Sequence, residues 1–243
     1  MLSDRTTSHG SGPTSGDVLL VFPGRHKAPD PQVPLQLLQV AGALQRAGHR
    51  VLIFDMLLAD YHSLRIGDPL FVGITAMSGP HIRYGLEFAR RVRAAKPHVP
   101  IVWGGVHPTL LPEQTAASDF VDVVVRGEAE LVVGPLADAL AAGAPLDAVN
   151  GLTYKADGAI SSTPDADLID LDTIPVELPY DLLELDRYPT LKAKVPPSGR
   201  DSRKASPSPA LAARAASGSR KRLTEAMSRA SAARLAASSR PKL

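Results

Sequence analysis

Residues 101–130, IVWGGVHPTLLPEQTAASDFVDVVVRGEAE, constrain the fold more than any other stretch of this chain. Two apolar, largely β-branched runs, 101–103 and 121–125, stop abruptly at small or charged residues. The first ends at Gly104-Gly105-Val106-His107-Pro108-Thr109 and the second at Arg126-Gly127-Glu128. Short runs that are apolar throughout belong to strands covered on both faces, the condition of a parallel sheet. In an open parallel sheet, ligands bind beyond the carboxyl ends of the strands. Paired glycines at that place have two readings. They let a ligand or a second backbone come close, because no Cβ intervenes, or they only make a tight turn.

The rest of the chain supplies the layers such a sheet needs. Residues 17–22 (DVLLVF), ended by Pro23-Gly24, read as a first buried strand. Residues 34–47 put Leu35, Leu37, Leu38, Ala41 and Leu44 at helical spacing, with Pro34 at the start and Gly48 as the stop. Residues 50–55 and 70–76 are a second and third strand. Residues 81–95 form a helix with Ile82, Leu86, Phe88, Ala89 and Val92 inward. The runs at 101–103 and 121–125 are the fourth and fifth strands, and 130–142 a last helix capped by Gly143. Strands alternating with helices predict an α/β domain over 17–150: a flavodoxin-like (Rossmann-like), doubly wound, five-stranded parallel sheet. Beyond it, 151–161 (GLTYKADGAIS) reads as a hairpin around Ala156-Asp157-Gly158. Residues 165–188, rich in acids, Leu and Pro, read as an extended strap wrapping back over the domain, so 151–190 is a hairpin-and-strap linker.

Composition narrows the function classes. The 243 residues contain no cysteine, which removes disulfides, thiolate zinc sites and iron–sulfur ligation by this chain. No apolar run approaches the ~18 residues of a membrane span. The first sixteen residues are polar and lack the apolar core of a secretory signal. The expectation is a cytoplasmic protein with no membrane partner and a disordered lead-in over 1–16. From Pro196 onward there are eleven Lys/Arg against two acids, whereas residues 1–195 hold sixteen Lys/Arg and twenty-three acids. The folded part is therefore acidic, and only the charge of the tail speaks for nucleic acid, so no nucleic-acid partner is expected. The last 48 residues include twelve Ala and ten Ser and lack Ile and all aromatics. With so little to bury, 191–243 is expected to be a disordered basic tail.

Several short motifs follow one another in order. They are Val21-Phe22-Pro23-Gly24, Pro34-Leu35-x-Leu37-Leu38, Ala47-Gly48-His49-x-Val51-x-x-x-Asp55 and Val72-Gly73-Ile74-Thr75. Then come Val102-Trp103-Gly104-Gly105-x-His107-Pro108-Thr109 and Val125-Arg126-Gly127-Glu128-x-Glu130. This series resembles the N-terminal cobalamin (B12)-binding domain of B12-dependent radical SAM enzymes, which include anaerobic methylases and the oxygen-independent tetrapyrrole cyclase. The resemblance runs over 17–188, including the Gly-Leu-x-Tyr hairpin and the Asp170-Leu171-Asp172-x-Ile174-Pro175 strap. It implies that cobalamin lies across the carboxyl edge of the sheet with its nucleotide tail inserted into the domain. The implied surroundings are Pro23 and Gly24 after the first strand, and Thr75, Ala76, Met77 and Ser78 after the third. Gly104, Gly105, His107, Pro108 and Thr109 follow the fourth, and Arg126, Gly127 and Glu128 the fifth. The paired glycines would clear a path for the tail, and Thr75 and Ser78 would hydrogen-bond it. The N–H groups of Gly127 and Glu128 would face the tail or the corrin amides. The cofactor would carry the chemistry and the protein would position it.

The series departs from related patterns in two places. Many cobalamin proteins carry Asp-x-His-x-x-Gly after the first strand, where the histidine ligates cobalt. Here the loop reads Gly24-Arg25-His26-Lys27-Ala28-Pro29, without the Asp or the last Gly. Asp60-Tyr61-His62-Ser63-Leu64-Arg65 has the first two elements but follows another strand and ends in Arg. The radical SAM branch generally lacks the motif, so no metal ligand is assigned. His26 reads as a solvated loop histidine before it reads as a cobalt ligand, and His107 as a loop-ordering or cofactor-edge residue. The second departure lies beyond Tyr188, where the resemblance leads one to expect a barrel opening with Cys-x-x-x-Cys-x-x-Cys. The chain has Ser202-Arg203-Lys204-Ala205-Ser206-Pro207 and the low-complexity tail instead. It reads as a module truncated before the barrel, by a stop or a change of reading frame, and not catalytic alone. A radical SAM barrel would act on it in trans. Two other classes stay open. One is a flavodoxin-like regulatory or interaction domain that binds no corrinoid, although Asp17 and Asp55 lack the second acid of a phosphoacceptor cluster. The other is a self-contained enzyme such as a nucleotide-sugar transferase, although no Gly-x-Gly-x-x-Gly follows the first strand.

Overall fold

A computed structural model describes residues 13–14, 16–156, 158–170, 172–173 and 177–189. The disorder expected for the lead-in and the tail falls, for residues 1–12, 15 and 190–243, outside the described residues. So do Asp157 of the hairpin turn and Leu171, Ile174 and Pro175 of the strap.

The chain opens with β1 (Val18–Phe22), α1 (Leu35–Arg46), β2 (Val51–Asp55), β3 (Phe71–Thr75), α2 (Pro80–Ala95) and β4 (Ile101–Gly104). Two short helices follow, α3 (Val106–Leu110) and α4 (Pro112–Ala116), then β5 (Val123–Val125), α5 (Val133–Ala142), β6 (Leu152–Ala156) and β7 (Ala159–Ser162). The sheet order is β2-β1-β3-β4-β5-β6-β7. The first five strands are parallel, with Val18 level with both Val51 and Phe71, and Val72 level with Ile101. This is the flavodoxin-like winding. From β1 the chain passes to β2 on one side, then crosses to β3 on the other, leaving a switch point between β1 and β3.

All five residues of β1 are buried, because helices cover both faces of the sheet. Val18, Leu20 and Phe22 join Leu37, Ala41 and Leu44 of α1 and Leu136 of α5 in one core. Leu19, Val21 and Ile74 join Phe88, Ala89 and Val92 of α2 in the other. The helix ends follow local chemistry. Gly48 stops α1 at φ +91° and Gly143 caps α5 at φ +61°, conformations that cost a side-chain-bearing residue more than glycine. Pro80 opens α2 after Gly79 at φ +80°, where a missing N–H leaves no intrahelical bond unmade.

The structure differs from the sequence expectation in two elements. The sheet has seven strands, because β6 pairs antiparallel with β5, with Val123 opposite Tyr154 and Val125 opposite Leu152. Without that pairing the three-residue β5 would leave an open, wholly apolar edge. The Gly-Gly segment continues into α3 and α4 instead of an irregular loop. Pro108 and Pro112 divide this stretch into turns too short to show helical periodicity in sequence. Among the described residues no helix is long and apolar enough to cross a membrane.

Candidate functional site at the carboxyl edge of the sheet

The loops leaving β1, β3, β4 and β5 all emerge at the carboxyl edge, and three hydrogen bonds tie the last three together. Ala76 N–H donates to the Gly104 carbonyl at 2.8 Å, and His107 N–H to the Ala76 carbonyl at 3.1 Å. Gly127 N–H donates to Thr109 Oγ1 at 3.0 Å. Thr75, Ala76, Gly104, Gly105, His107, Thr109 and Gly127 thus form one continuous strip. The Gly127 N–H, expected to face a ligand, is taken by Thr109.

The glycines of this edge do different work. Gly105 has φ +100°, and a Cβ there would stand 3.0 Å from both the Ala76 carbonyl oxygen and Thr75 Oγ1. Glycine at 105 is therefore required by the packing of one loop on the next. A Cβ on Gly104 would meet only Val125, at 3.8 Å, which is ordinary contact. One on Gly127 would meet nothing within 4 Å. These two positions leave the edge open. Gly24 is buried under Leu57, whose Cδ2 lies 2.2 Å from where a Cβ would be. With Pro23 also buried, the loop after β1 begins as packing and not as a ligand surface.

The Arg126-Gly127-Glu128 segment fastens the following residues to the sheet. Arg126 Nη1 donates to the Leu152 carbonyl (2.9 Å) and to Thr153 Oγ1 (2.8 Å), and Nη2 to the Thr163 carbonyl (2.6 Å) and Asp165 Oδ1 (3.0 Å). Glu128 Oε2 accepts the Ile169 N–H at 2.9 Å. The resemblance implied that these polar groups surround a cofactor; in the structure their side chains bond to the hairpin and strap. A second fastening stands at the end of β2. Buried Asp55 accepts the Leu57 N–H at Oδ1 (2.8 Å) and the hydroxyl of fully buried Tyr188 at Oδ2 (2.8 Å). Burial pushes the Asp55 carboxyl above the usual carboxylate range, and burial beside Asp55 pushes the Tyr188 hydroxyl up as well. An acid so enclosed is not a surface phosphoacceptor. Asp17 is likewise engaged. Burial would raise its pKa, but Arg50 and Thr14 hold it below the usual range.

Three large apolar side chains are exposed at this edge, beside polar Ser78 and Glu128. Met77 after β3 is 51% exposed, Val106 58% and Leu110 70%. Large apolar side chains gathered around an edge of otherwise engaged backbone mark a contact surface for something apolar. Ser78 is exposed beside Met77, while Pro108 is buried and His107 half-buried in the first turn of α3. His26 is half-buried in the loop after β1. Among the described residues no group of three or more His, Cys, Asp or Glu side chains is placed to hold a metal ion.

The sequence reading missed one residue of this edge, His81 in the first turn of α2. Its ring meets Phe22 edge-on, with centroids 5.2 Å apart and planes at 80°. Its Nδ1 is buried without a hydrogen-bond partner among the described residues, and burial lowers its pKa, which favours the neutral ring. The available signal was its place, just after a strand end and the Gly79-Pro80 pair.

Comparison with known proteins agrees with this geometry. Residues 24–137 match the family model described as the B12 binding domain. An uncharacterized methyltransferase of Pyrococcus horikoshii is 37% identical over 184 residues, covering 70% of this chain and 39% of that protein. The anaerobic magnesium-protoporphyrin IX monomethyl ester cyclase of Rubrivivax gelatinosus is 30% identical over 168 residues, covering 64% of this chain and 30% of the cyclase. The chain thus spans well under half the length of these curated relatives. Among solved structures, the radical S-adenosylmethionine methyltransferase TsrM from Kitasatospora setae, with cobalamin and a [4Fe-4S] cluster bound, shares the fold. Its TM-score is 0.55 at 24% identity, over 64% of this chain and 30% of that one. The cobalamin-dependent S-adenosylmethionine radical enzyme OxsB does so at a TM-score of 0.53 and 20% identity, over 65% and 23%. Residues 24–137 thus carry a match to the B12-binding domain, and the α/β domain resembles the N-terminal domain of cobalamin-dependent radical SAM enzymes.

Proposed function

We propose that this chain binds cobalamin across the carboxyl edge of its parallel sheet and presents it to a radical SAM barrel supplied by another polypeptide or by residues outside these 243. The observation that carries the reading is the exposed apolar rim of Met77, Val106 and Leu110 around the strip opened by Gly104 and Gly127. A corrin is a broad, flat macrocycle, apolar on its faces and amide-bearing at its rim. Those side chains would cover a face, and the open glycine positions would let the ring or its tail approach the backbone. Bound cobalamin supplies a cobalt centre able to accept and give up a methyl group. The protein's part is to bind, orient and shield it.

Histidine ligation of cobalt is not part of the proposal. Metal-bound imidazoles are usually held by a carboxylate or carbonyl on their other nitrogen. Among the described residues the imidazoles bonded to carboxylates are His49 (with Asp138) and His98 (with Asp68). Both lie at the amino-terminal edge of the sheet, in the connections entering β2 and β4. The cluster that cleaves S-adenosylmethionine needs thiolates, and these residues include no cysteine, so radical chemistry would be contributed from elsewhere.

The test is to incubate the purified chain with hydroxocobalamin, pass it through gel filtration and read the corrinoid absorbance of the protein peak. Equimolar co-elution is expected. Free elution of the corrinoid from protein with a native circular dichroism spectrum would overturn the reading.

A further inference from the structure

His81 is not used by the function proposed above, yet it stands at the switch point. Helix α2 covers the sheet face that holds Leu19 and Val21, whereas the Phe22 side chain belongs to the core of the opposite face. A ring contact of 5.2 Å between His81 and Phe22 reaches from one face to the other around the end of β1. The imidazole therefore lies over the crevice between β1 and β3, the place where open α/β sheets receive ligands. Its Nδ1 is buried and unpartnered among the described residues. A second orphaned donor, Trp103 Nε1, lies under the same end of α2. The Trp103 ring packs on Gly85, one turn beyond His81, where a Cβ would come within 2.9 Å of Cη2. A buried polar group without a partner costs about 1–3 kcal/mol, so one placed at a ligand edge calls for an occupant that satisfies it.

Resting on the cobalamin reading, we propose that His81 is the contact for the heteroaromatic base of the cofactor's nucleotide tail, its Nδ1–H donating to the base nitrogen left free when the base is off cobalt. The corrin itself is too broad to enter the crevice beyond the carboxyl ends of β1 and β3, which are paired neighbours in the sheet. The benzimidazole is narrow, flat and aromatic, and carries a single unprotonated ring nitrogen as acceptor. Phe22 sets the imidazole on edge beside it. The lowered pKa of His81 keeps its ring in the neutral, singly protonated form at neutral pH. His81 is thereby a specificity residue that distinguishes corrinoids with a nitrogenous lower base from those without one.

The full-length chain and its His81→Phe and His81→Gln variants would be titrated with hydroxocobalamin and with aquocobinamide, which has the same corrin but no nucleotide. Quenching of the single tryptophan, Trp103, reports binding. Circular dichroism checks the fold, and electron paramagnetic resonance of the cobalt(II) forms reports axial nitrogen. His81→Phe should lose about tenfold in cobalamin affinity, equivalent to about 1.4 kcal/mol, with cobinamide affinity unchanged. His81→Gln, which keeps an N–H donor, should retain most of the wild-type preference. Equal losses for both ligands, or no loss for either, would overturn the proposal. So would a nitrogen splitting that disappears in His81→Phe, which would make His81 a cobalt ligand. A wild-type chain that binds neither corrinoid would overturn the cobalamin reading itself. One that binds both, with variants indistinguishable from it, would overturn this inference alone.

Discussion

Gly104 and Gly105 are neighbours with opposite reasons for lacking a side chain, and the contrast can be measured. Alanine at 105 must adopt φ near +100° and press its Cβ against the Ala76 carbonyl. Gly105→Ala should therefore cost about 1–3 kcal/mol of stability in urea unfolding. Alanine at 104 meets only Val125 at contact distance, so Gly104→Ala should leave stability nearly unchanged while weakening cobalamin binding several-fold. Loss of stability at 104 with binding intact would mean that the position serves the fold. Asp55 and Tyr188 offer a second test. Tyr188→Phe leaves Asp55 Oδ2 buried without its donor and should cost about 1–3 kcal/mol. Asp55 holds its proton to higher pH when folded than its ordinary value of 3.8. Above that value the folded state binds more protons than the unfolded one, so this residue's contribution to stability falls as pH rises through the window. Compared with Asp55→Asn, the wild type should lose stability as pH rises above the ordinary carboxylate value of 3.8. Parallel curves for the two proteins would contradict the assignment. The sequence showed where the carboxyl edge would be, because strand ends and glycines are local signals. It did not show which glycine faces open space, since that depends on Leu57, Ala76 and Val125, each distant in the chain.

The β6–β7 hairpin depends on Arg126 as much as on its own ladder. Two bonds from Nη1 and two from Nη2 hold the start of β6 and the segment after β7 to the end of β5, with the guanidinium side chain 13% exposed. Arg126→Met keeps much of the apolar stem but removes every donor. Amide hydrogen exchange in β6 and β7 should accelerate while β1 and β3 stay protected, at a stability cost of about 1–3 kcal/mol. Uniform acceleration across the sheet would mean that the hairpin unfolds only with the whole domain. Strands β1 to β5 and helices α1, α2 and α5 were legible because each carries its own periodicity or apolar run. The antiparallel docking of β6 on β5 was not, because a hairpin signal names two partners and not a third. Helices α3 and α4 were hidden by Pro108 and Pro112, which here open or punctuate turns that sequence patterns read as loop.

At the scale of the molecule, a parallel sheet covered on both faces leaves its carboxyl edge as the surface where ligand chemistry can be arranged. In this chain the polar groups of that edge are mostly committed to holding loops, hairpin and strap together. The remainder includes an apolar rim with Ser78, the open glycine positions and the unpartnered Nδ1 of His81. The central claim is that cobalamin binds there without a histidine on cobalt. The most direct measurement is the absorbance and cobalt(II) paramagnetic resonance of the reconstituted full-length protein, read beside that of His26→Ala. The account predicts equimolar cobalamin with the signature of cobalt free of axial nitrogen, identical in both proteins. Protein that folds but retains no cobalamin, or a nitrogen-ligated spectrum lost in His26→Ala, would contradict it.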